Sequence, residues 1–576
     1  MNRKQRRAAA KRRRAEPAQA GALLNQSLIA RQAGHHGEAL ALAERAVALD
    51  PGLAEAHYVR GTLLTAARRL AEAVASFDEA IAARADYFAA HNNRGNALRA
   101  MGRLTEAAAG YRRALAIKPD SAGAHNNLGV VLDALRKPED AIACFRRALA
   151  IDPDMAGATA NLLHQLQHAC AWREFRELEP RVDAMTGRAL REGAAPGEMP
   201  FLNITRCADP AENYRVARSR SLEIARRAPT MDFPPAGRRR RKAKITIGYL
   251  SANFFNHPTA HTMAAVFGLH DRGDFSVFAF SYGPDDGSGY RRRIERDSDR
   301  FFDIRDADFA ESARLINNTG VDILVDLNGH TTDGRLEICA LRPAPVQVTY
   351  KGFAGTTGAD FIDYILTDRI VTPPFEAQYY GEKIVYLPNT YWVNDHTQAI
   401  SDKPFRRADF GLPDPGFVFC CFNGNYKIDP PMFGVWMSLL KKTPNGVLWL
   451  LRGNDLAQRN LKRGAEAAGV AADRLVFAPA LPKAEHLARL RLADLALDTR
   501  IVGGHTTTAD ALWAGVPVIA LKGSHFASRV SSSLLAAVGL SETVTGSLAD
   551  YQRLALDLAR DPAALAALRG KLASNR

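Results

Sequence analysis

Residues 494–523 read DLALDTRIVGGHTTTADALWAGVPVIALKG, and this stretch holds two short apolar runs separated by a helix candidate. The runs are DLALDT (494–499) and PVIALKG (517–523), and the helix candidate extends towards Trp513. Apolar runs that alternate with helices are typical of a parallel sheet, because crossover helices bury both faces of such a sheet. The stretch therefore predicts one strand, helix and strand of a doubly wound α/β domain.

Nine further apolar runs extend this pattern upstream. They form two sets, 244–251, 275–282, 321–329, 346–352, 363–368 and 383–388, and then 417–423, 446–453 and 474–479. Two sets in tandem predict two Rossmann-like domains that face each other across a cleft. We place them at residues 244–395 and 396–576. Ligands of such domains bind beyond the carboxyl ends of the strands.

A glycine-led turn follows the strand candidate DLALDT. Gly503 and Gly504 permit a tight turn, and His505, Thr506 and Thr507 then fall at the N-terminus of a helix. Free backbone N–H groups and the helix dipole attract anions at such a terminus, which predicts a diphosphate site. The alternative is that threonine only caps the helix.

Other polar residues lie close to strand ends or on this helix. They are Asp510, one turn into the helix; Lys427 in FNGNYKID (422–429); Lys483 and His486 in PKAEH (482–486); and His257 and His261 in FNHPTAH (255–261). Asp510 suits a ribose hydroxyl, and Lys427 suits a departing diphosphate, whose charge it would offset. Lys483 and His486 are candidates for contacting a base or ribose. Singly, such lysines are usually on the surface and such histidines usually structural, but their shared position after strands favours a site.

The N-terminal part of the chain repeats with a period of 34 residues. HYVRG starts at His57, HNNRG at His91 and HNNLG at His125. Small, aromatic and proline positions recur at the same spacing: Gly61, Gly95 and Gly129; Ala39, Ala73, Ala107 and Ala141; Phe77, Tyr111 and Phe145; Pro51, Pro119 and Pro153. This is the tetratricopeptide (TPR) pattern. It predicts an α-helical TPR solenoid over residues 20–165, with about four repeats and a degenerate fifth.

Asn93, Asn127 and Asn161 occupy one repeat position, again 34 residues apart. Solenoids of this kind line a concave groove with one helix of each pair, and asparagine both donates to and accepts from a peptide backbone. The three residues therefore predict binding of an acceptor peptide. The alternative is that they stabilise the repeats internally.

The net charge of +14 is concentrated in two short segments, residues 3–14 and residues 238–242. Such segments can bind nucleic acid or anionic membrane. We interpret them instead as a disordered tail (1–19) and as the end of a region of capping helices and basic linker (166–243). No aromatic residues interleave the tail, so stacking on bases is not indicated.

The cellular compartment is indicated by three features that the sequence lacks: a membrane helix, a secretory signal and a disulfide spacing. No apolar stretch approaches the ~20 residues of a membrane helix, and the N-terminus lacks the apolar segment of a secretory signal. The six cysteines are scattered without a disulfide spacing, which fits a reducing cytoplasm.

Taken together, the motifs resemble the O-linked N-acetylglucosamine transferase and SPINDLY family. Besides the repeats they are GYLSANFFNHPTAH (248–261), DLNGHT (326–331), LRPAPVQVTYKGFAGTTG (341–358), DYILTD (363–368), YKIDP (426–430), VLWLLR (447–452), APALPKAEH (478–486) and GHTTTADALWAGVPVIAL (504–521). The likeness covers nearly the whole chain from about residue 20, in family order. It implies a GT-B core of two Rossmann-like domains that transfers sugar with inversion, using a UDP-sugar as co-substrate and neither a metal nor another cofactor.

The resemblance also implies a role for each candidate residue. His257 matches the family histidine near the acceptor, for which a general-base role has been proposed, and Lys427 matches the lysine that stabilises the leaving diphosphate. The start of the phosphate-binding helix corresponds to His505, Thr506 and Thr507, and the ribose contact corresponds to Asp510. Lys483 and His486 match residues of the nucleoside pocket, and Gly352 matches the glycine of the loop beside the donor sugar. The implied reaction is attack by a serine or threonine hydroxyl of a protein on the anomeric carbon. The implied partners are acceptor proteins along the TPR groove, and a homodimer through the arm is left open.

Three features depart from the family pattern. The loop that commonly reads Leu-Gly-x-Pro-Gly-Thr is KGFAGT (351–356) here, and Gly424 and Asn425 stand where a glutamine often precedes the Tyr-Lys pair. The chain also ends at LRGKLASNR (568–576), where relatives continue into a closing helix, so we expect either a truncated protein or a member without that segment. The first prediction is N-acetylglucosamine transfer from UDP-GlcNAc; the alternatives are fucose transfer from GDP-fucose and an inactive TPR scaffold.

Overall fold

The structure, a computed structural model, describes residues 3–233 and 243–575, with side chains from residue 16 onward. The chain divides into two compact units, Met1–Gln165 and Leu166–Arg576. The first unit contains the predicted repeats and the second contains both predicted α/β domains.

The first unit is built of helices in antiparallel pairs. They are α1(Arg3–Gln32), α2(His36–Leu49), α3(Ala54–Ala66), α4(Leu70–Ala83), α5(Phe88–Ala100), α6(Leu104–Ile117), α7(Ala122–Ala134), α8(Pro138–Ile151) and α9(Ala156–His168), which continues into the second unit. α1 differs from the prediction, because the structure has a helix where a disordered tail was expected. The segment is rich in alanine, arginine and lysine, which are strong helix formers.

The repeated glycines lie against the repeated aromatic rings. A methyl group added to the glycine would lie 2.7 Å from the Phe77 ring at Gly61, 2.8 Å from the Tyr111 ring at Gly95 and 2.6 Å from the Phe145 ring at Gly129. These distances are too short for any Cβ, so the ring occupies the space that glycine leaves. The TPR prediction is confirmed at the level of packing.

The second unit opens with three further helices that pack on the α/β domains. They are α10(Trp172–Arg191), α11(Pro200–Arg206) and α12(Pro210–Arg227). The Trp172 indole donates to the Ile428 carbonyl (3.2 Å) in the C-terminal domain, and Arg218 pairs with Asp360 (2.8 Å) in the N-terminal domain. The predicted basic linker at residues 238–242 lies outside the described residues.

The N-terminal domain is a parallel sheet with the order β3-β2-β1-β4-β5-β6-β7. Its strands are β1(Ile245–Ser251), β2(Phe275–Ser281), β3(Arg300–Asp303), β4(Ile323–Asp326), β5(Val346–Thr349), β6(Tyr364–Thr367) and β7(Lys383–Tyr386). Its helices are α13(Pro258–Met263), α14(Val266–Leu269), α15(Gly289–Asp297), α16(Phe309–Asn318) and α17(Leu336–Ala340).

The C-terminal domain is a second parallel sheet, with the order β10-β9-β8-β11-β12-β13. Its strands are β8(Val418–Cys421), β9(Val447–Leu451), β10(Leu475–Ala478), β11(Leu495–Leu497), β12(Val518–Leu521) and β13(Val544–Thr545). Its helices are α18(Pro430–Lys442), α19(Asp455–Ala467), α20(Lys483–Leu490), α21(Thr506–Ala514), α22(Val530–Ala537), α23(Leu548–Arg560) and α24(Pro562–Asn575). Every strand candidate of the sequence is a strand of one of these two sheets, and the pair is the predicted GT-B arrangement.

The strand order reverses once in each sheet, between β1 and β4 and between β8 and β11. At such a point the crossover connections leave on opposite faces, which opens a crevice beyond the carboxyl ends of the two strands. The expected positions of a ligand are therefore the residues after β1, β4, β8 and β11. Among the described residues, we find no helix with the length and apolar character needed to cross a bilayer.

Candidate functional site

Asn423 joins the residues that follow β8 and β11. Its amide nitrogen donates to the Asp498 carboxylate and to the Thr499 hydroxyl, both at 3.1 Å. Its amide oxygen accepts from the Thr507 hydroxyl at 2.7 Å and from the Lys427 ammonium at 3.3 Å. One buried asparagine therefore fixes both the lysine and the first turn of α21.

The turn that precedes α21 depends on its glycines. The Gly504 N–H donates to the Asp498 carboxylate at 2.5 Å, and the Gly503 carbonyl accepts from the Lys427 ammonium at 2.9 Å. A Cβ on Gly504 would lie 2.2 Å from the Thr508 hydroxyl oxygen and 2.8 Å from that of Thr507. Only glycine lets the turn approach the helix start this closely, and the lysine is attached to the same turn.

Lys427 is therefore not the surface lysine of the simpler interpretation. Burial lowers its pKa to about 8, and the nearby Asp498 carboxylate acts in the opposite direction. A partly desolvated cation beside the free N–H groups of a helix start is a favourable place for a diphosphate.

Lys483, His486 and Asp510 lie together at the start of α20 and on α21. Lys483 forms an ion pair with Asp510, and the His486 Nε2 is 3.9 Å from the other Asp510 oxygen. Burial, together with the charges of Arg489 and Lys483, lowers the pKa of His486 to about 3, so this imidazole is neutral. The three predicted nucleoside residues form one polar cluster, in which the Asp510 carboxylate is bonded to Lys483.

His257 and His261 come from the N-terminal domain, after β1. The His257 Nδ1 accepts from the Thr259 N–H at 3.2 Å and so caps α13. Burial lowers the pKa of His257 to about 4, so the ring is neutral at pH 7. Because Nδ1 is the acceptor, the ring proton is on Nε2, which can donate a hydrogen bond but cannot take a proton.

The two α/β domains face each other at these residues, as one charge effect and one ring contact show. Burial lowers the pKa of His261 to about 3, with the Lys483 charge of the C-terminal domain as the next cause. Trp392 of the N-terminal domain also packs edge-on against His505, with ring centroids 5.8 Å apart. His257, Lys483 and the turn at His505 therefore border one crevice.

Gly352 has a structural reason to be glycine. A Cβ at this position would lie 1.9 Å from the Leu327 carbonyl oxygen, because the loop after β5 passes directly over the residue after β4. Its predicted contact with a donor sugar stays a prediction.

Each of the three repeated asparagines forms a side-chain hydrogen bond to a residue of the preceding repeat. The side-chain amide of Asn93 donates to the Tyr58 hydroxyl at 3.1 Å, Asn127 to Asn92 at 3.5 Å, and Asn161 to Asn126 at 3.0 Å. These bonds run between consecutive repeats, as the alternative of internal stabilisation predicted. Peptide binding by the same residues stays a prediction.

Sequence reasoning did not single out Asn423, Asp498 or Trp392. The first two follow β8 and β11, so the rule that sites lie after strands would have found them. Trp392 follows β7 in an irregular segment, and no local pattern shows that it reaches the turn at His505.

Comparison with known proteins agrees with this geometry. The model of glycosyl transferase family 41 matches residues 221–406 and 404–576, and TPR models match residues 24–88, 95–135 and 122–155. These matches cover most of the repeats, the C-terminal end of α12 and both α/β domains.

Similar individual proteins carry related names. The probable UDP-N-acetylglucosamine--peptide N-acetylglucosaminyltransferase SEC of Arabidopsis thaliana is 38% identical over 430 residues, covering 72% of this chain and 44% of SEC. The probable enzyme of the same description named SPINDLY, also from Arabidopsis thaliana, is 35% identical over 341 residues, covering 57% of this chain and 36% of SPINDLY. The chain thus spans less than half the length of these curated relatives.

A solved structure covers almost the whole chain. A mutant of Thermobaculum terrenum O-GlcNAc transferase aligns with a TM-score of 0.64 and 29% identity, over 97% of this chain and 93% of that one. The repeats, the paired parallel sheets and the family match over both of them lead to one conclusion: the chain belongs to glycosyltransferase family 41.

Proposed function

We propose that this protein transfers N-acetylglucosamine from UDP-N-acetylglucosamine to serine or threonine hydroxyls of other proteins, with inversion at the anomeric carbon. The observation that carries the proposal is the junction of Lys427, Asn423 and the turn before α21, which presents a cation and free N–H groups at one point. The names of SEC and of the Thermobaculum terrenum protein support the choice of sugar.

The diphosphate of the donor binds at the start of α21, near His505, Thr506 and Thr507. The acceptor hydroxyl attacks the anomeric carbon from the side of His257, and the bond from that carbon to the diphosphate breaks. Lys427 offsets the negative charge that grows on the leaving oxygen, an interaction that strengthens towards the transition state.

His257 acts in this reaction as a hydrogen-bond donor through Nε2. The Thr259 N–H occupies its Nδ1, so the proton of the attacking hydroxyl is released to water and not to His257. His257 therefore orients the reacting groups, and its neutral ring does so without a change of charge.

Lys483, His486 and Asp510 hold the nucleoside, with the ribose near Asp510. Its carboxylate pairs with Lys483 in the structure, so nucleoside binding exchanges or shares that ion pair. Gly352 lies in the loop next to the sugar. The acceptor proteins bind along the TPR repeats, and neither a metal nor another cofactor takes part. The six cysteines are free thiols, which supports a reducing cytoplasm as the location.

The test is a thermal-shift series followed by sugar transfer. We expect UDP and UDP-N-acetylglucosamine to raise the unfolding temperature, because a ligand that binds only the native state stabilises it. Labelled sugar should then appear on protein, and chelation of divalent metals should leave the rate unchanged. Stabilisation by GDP and GDP-fucose alone would transfer the proposal to fucose, and indifference to every nucleotide would leave a TPR scaffold.

A further inference from the structure

Lys351 enters the loop after β5 in a left-handed conformation, with φ of 71°. Residues with a Cβ rarely adopt this conformation. The next residue, Gly352, is pressed against the Leu327 carbonyl, so the path of the loop is tightly determined. The result is a lysine that points inward and is only 7% exposed.

The Lys351 ammonium lies between the helix of the histidines and the turn before α21. It donates to the Thr262 hydroxyl on α13 (2.5 Å) and to the Val393 carbonyl (3.0 Å). It also lies 3.9 Å from the centroid of the Trp392 ring, the same ring that packs against His505. Lys351 therefore reaches the crevice from the N-terminal domain, opposite Lys427.

This buried cation has no counter-ion in the described part of the chain, where no carboxylate comes within ion-pair distance of it. The groups that face it are a hydroxyl, a carbonyl and the Trp392 ring. The charge of Lys483 acts on it as a like charge, and burial, with the charge of Lys351 as a further cause, lowers the pKa of His505 to about 3. Burial and that like charge lower the pKa of Lys351 well below its usual value. Burying a cation without a partner costs free energy, so an anionic group of a ligand that pairs with Lys351 would be bound strongly.

We propose that the diphosphate of the bound nucleotide sugar is the counter-ion of Lys351. Lys351 and Lys427 then hold the diphosphate from opposite domains of the crevice. This inference rests on the proposed function, and it assigns a role to a position at which the family pattern commonly has leucine. Binding of the donor also raises the pKa of Lys351, because an adjacent anion favours the charged form, so any neutral fraction of Lys351 takes up a proton.

The experiment measures UDP binding by calorimetry in the whole 576-residue chain and in K351M, which keeps most of the length of the side chain but not its charge. We expect UDP to bind to K351M about 10- to 100-fold more weakly than to the wild type, which is the loss typical of one charge-assisted contact. In a pH series, with buffers of different ionisation enthalpy at each pH, the wild type should take up more protons on binding than K351M does wherever free Lys351 is partly neutral. The difference belongs to Lys351, because Lys427 is present in both proteins.

Two further variants control this experiment. Lys351→Gln still donates hydrogen bonds but carries no charge. It should bind UDP about 10- to 100-fold more weakly than the wild type as well, and it keeps the test decisive if K351M folds poorly. Lys383→Met removes an exposed lysine from β7 of the same domain and should bind UDP as the wild type does.

Three outcomes would overturn the role of Lys351 while leaving the proposed function standing. They are unchanged UDP affinity in both Lys351 variants, equal proton uptake, or weakening confined to a donor whose sugar carries a carboxylate, such as UDP-glucuronate. Failure of the wild type itself to bind UDP or GDP would instead overturn the proposed function and this inference together.

Discussion

At the scale of single residues, two oxygen atoms position the Lys427 ammonium. They are the side-chain oxygen of Asn423 and the carbonyl oxygen of Gly503. The proposed task of Lys427 is to offset charge that is greatest late in the reaction. We therefore expect Lys427→Ala to lower kcat by about 10²- to 10³-fold, as loss of one transition-state contact typically does. The KM for the donor should change much less, as initial rates over a range of UDP-N-acetylglucosamine concentrations would show.

A second lysine serves as the control for this variant. Lys442, at the exposed end of α18, belongs to the same domain but lies outside the site, and Lys442→Ala should leave both constants unchanged. If Lys427→Ala raised KM and left kcat intact, Lys427 would bind the ground state only and would have no part in stabilising the leaving group.

His257 gives a prediction that separates a cap and donor from a general base. Asparagine can cap α13 through its side-chain oxygen and keep a donor group, whereas alanine does neither. We expect His257→Ala to cost about 1 kcal/mol of stability, as loss of an N-cap does, and His257→Asn to be nearly as stable as the wild type. In a transfer assay, His257→Asn should retain more activity than His257→Ala; equal loss in both would indicate that the imidazole acts as a base after all.

Residue identity and sequence order were sufficient to single out Lys427, Lys483 and the turn at His505 as candidates that the structure brings to one crevice, because each follows a recognisable strand. They were not sufficient for Lys351, which was noted only as a departure from the family loop. Its burial depends on the left-handed turn and on the Trp392 ring, which lies 41 residues further along the chain, and no local pattern reports such a contact.

At the scale of elements, the first turn of α21 depends on the absence of a side chain at Gly504. A methyl group there would lie within 2.2 Å of the Thr508 hydroxyl oxygen, so Gly504→Ala must displace the start of the helix. We expect this variant to lose most of the thermal stabilisation by UDP. Gly434, inside α18, has open space around it, and Gly434→Ala should keep that stabilisation in full.

The TPR helices allow the same comparison within one helix. α7 contains Gly129, whose added methyl group would lie 2.6 Å from the Phe145 ring, and Gly123, which has nothing within 4 Å. Gly129→Ala should destabilise the repeats by about 1–3 kcal/mol, the usual cost of overpacking. Gly123→Ala should instead stabilise the repeats slightly, because alanine is more favourable than glycine inside a helix. Urea unfolding followed by circular dichroism would show both changes, and equal effects would contradict the ring-over-glycine packing.

Periodicity also explains which elements were predicted and which were not. The 34-residue repeat and the long apolar strands carry strong signals. β3, with the sequence RFFD, and the two-residue β13 lie at sheet edges and are too short and too polar to show the pattern. Edge strands are paired on one side only, so they require fewer apolar residues than central strands do.

At the scale of the whole molecule, the repeats form a unit of their own, separate from the unit to which we assign the proposed reaction. The bonds from Asn127 to Asn92 and from Asn161 to Asn126 show that the asparagines join neighbouring repeats. A peptide that competes for these amides would exchange one set of hydrogen bonds for another. The new bonds would be made to the peptide backbone, which is the same in every sequence, so binding would depend little on the sequence of the peptide.

We therefore expect replacement of Asn93, Asn127 and Asn161 together by alanine to raise the KM for a protein acceptor by about tenfold or more, the equivalent of one or two net hydrogen bonds. The affinity for UDP and the slow hydrolysis of UDP-N-acetylglucosamine by water should stay unchanged, because neither requires a peptide on the repeats. Transfer to a protein and hydrolysis of the donor, measured side by side, separate these two effects. A variant with a lower unfolding temperature but an unchanged acceptor KM would mean that the asparagines only hold the repeats together, and the surface that selects the acceptor would have to be sought among other residues.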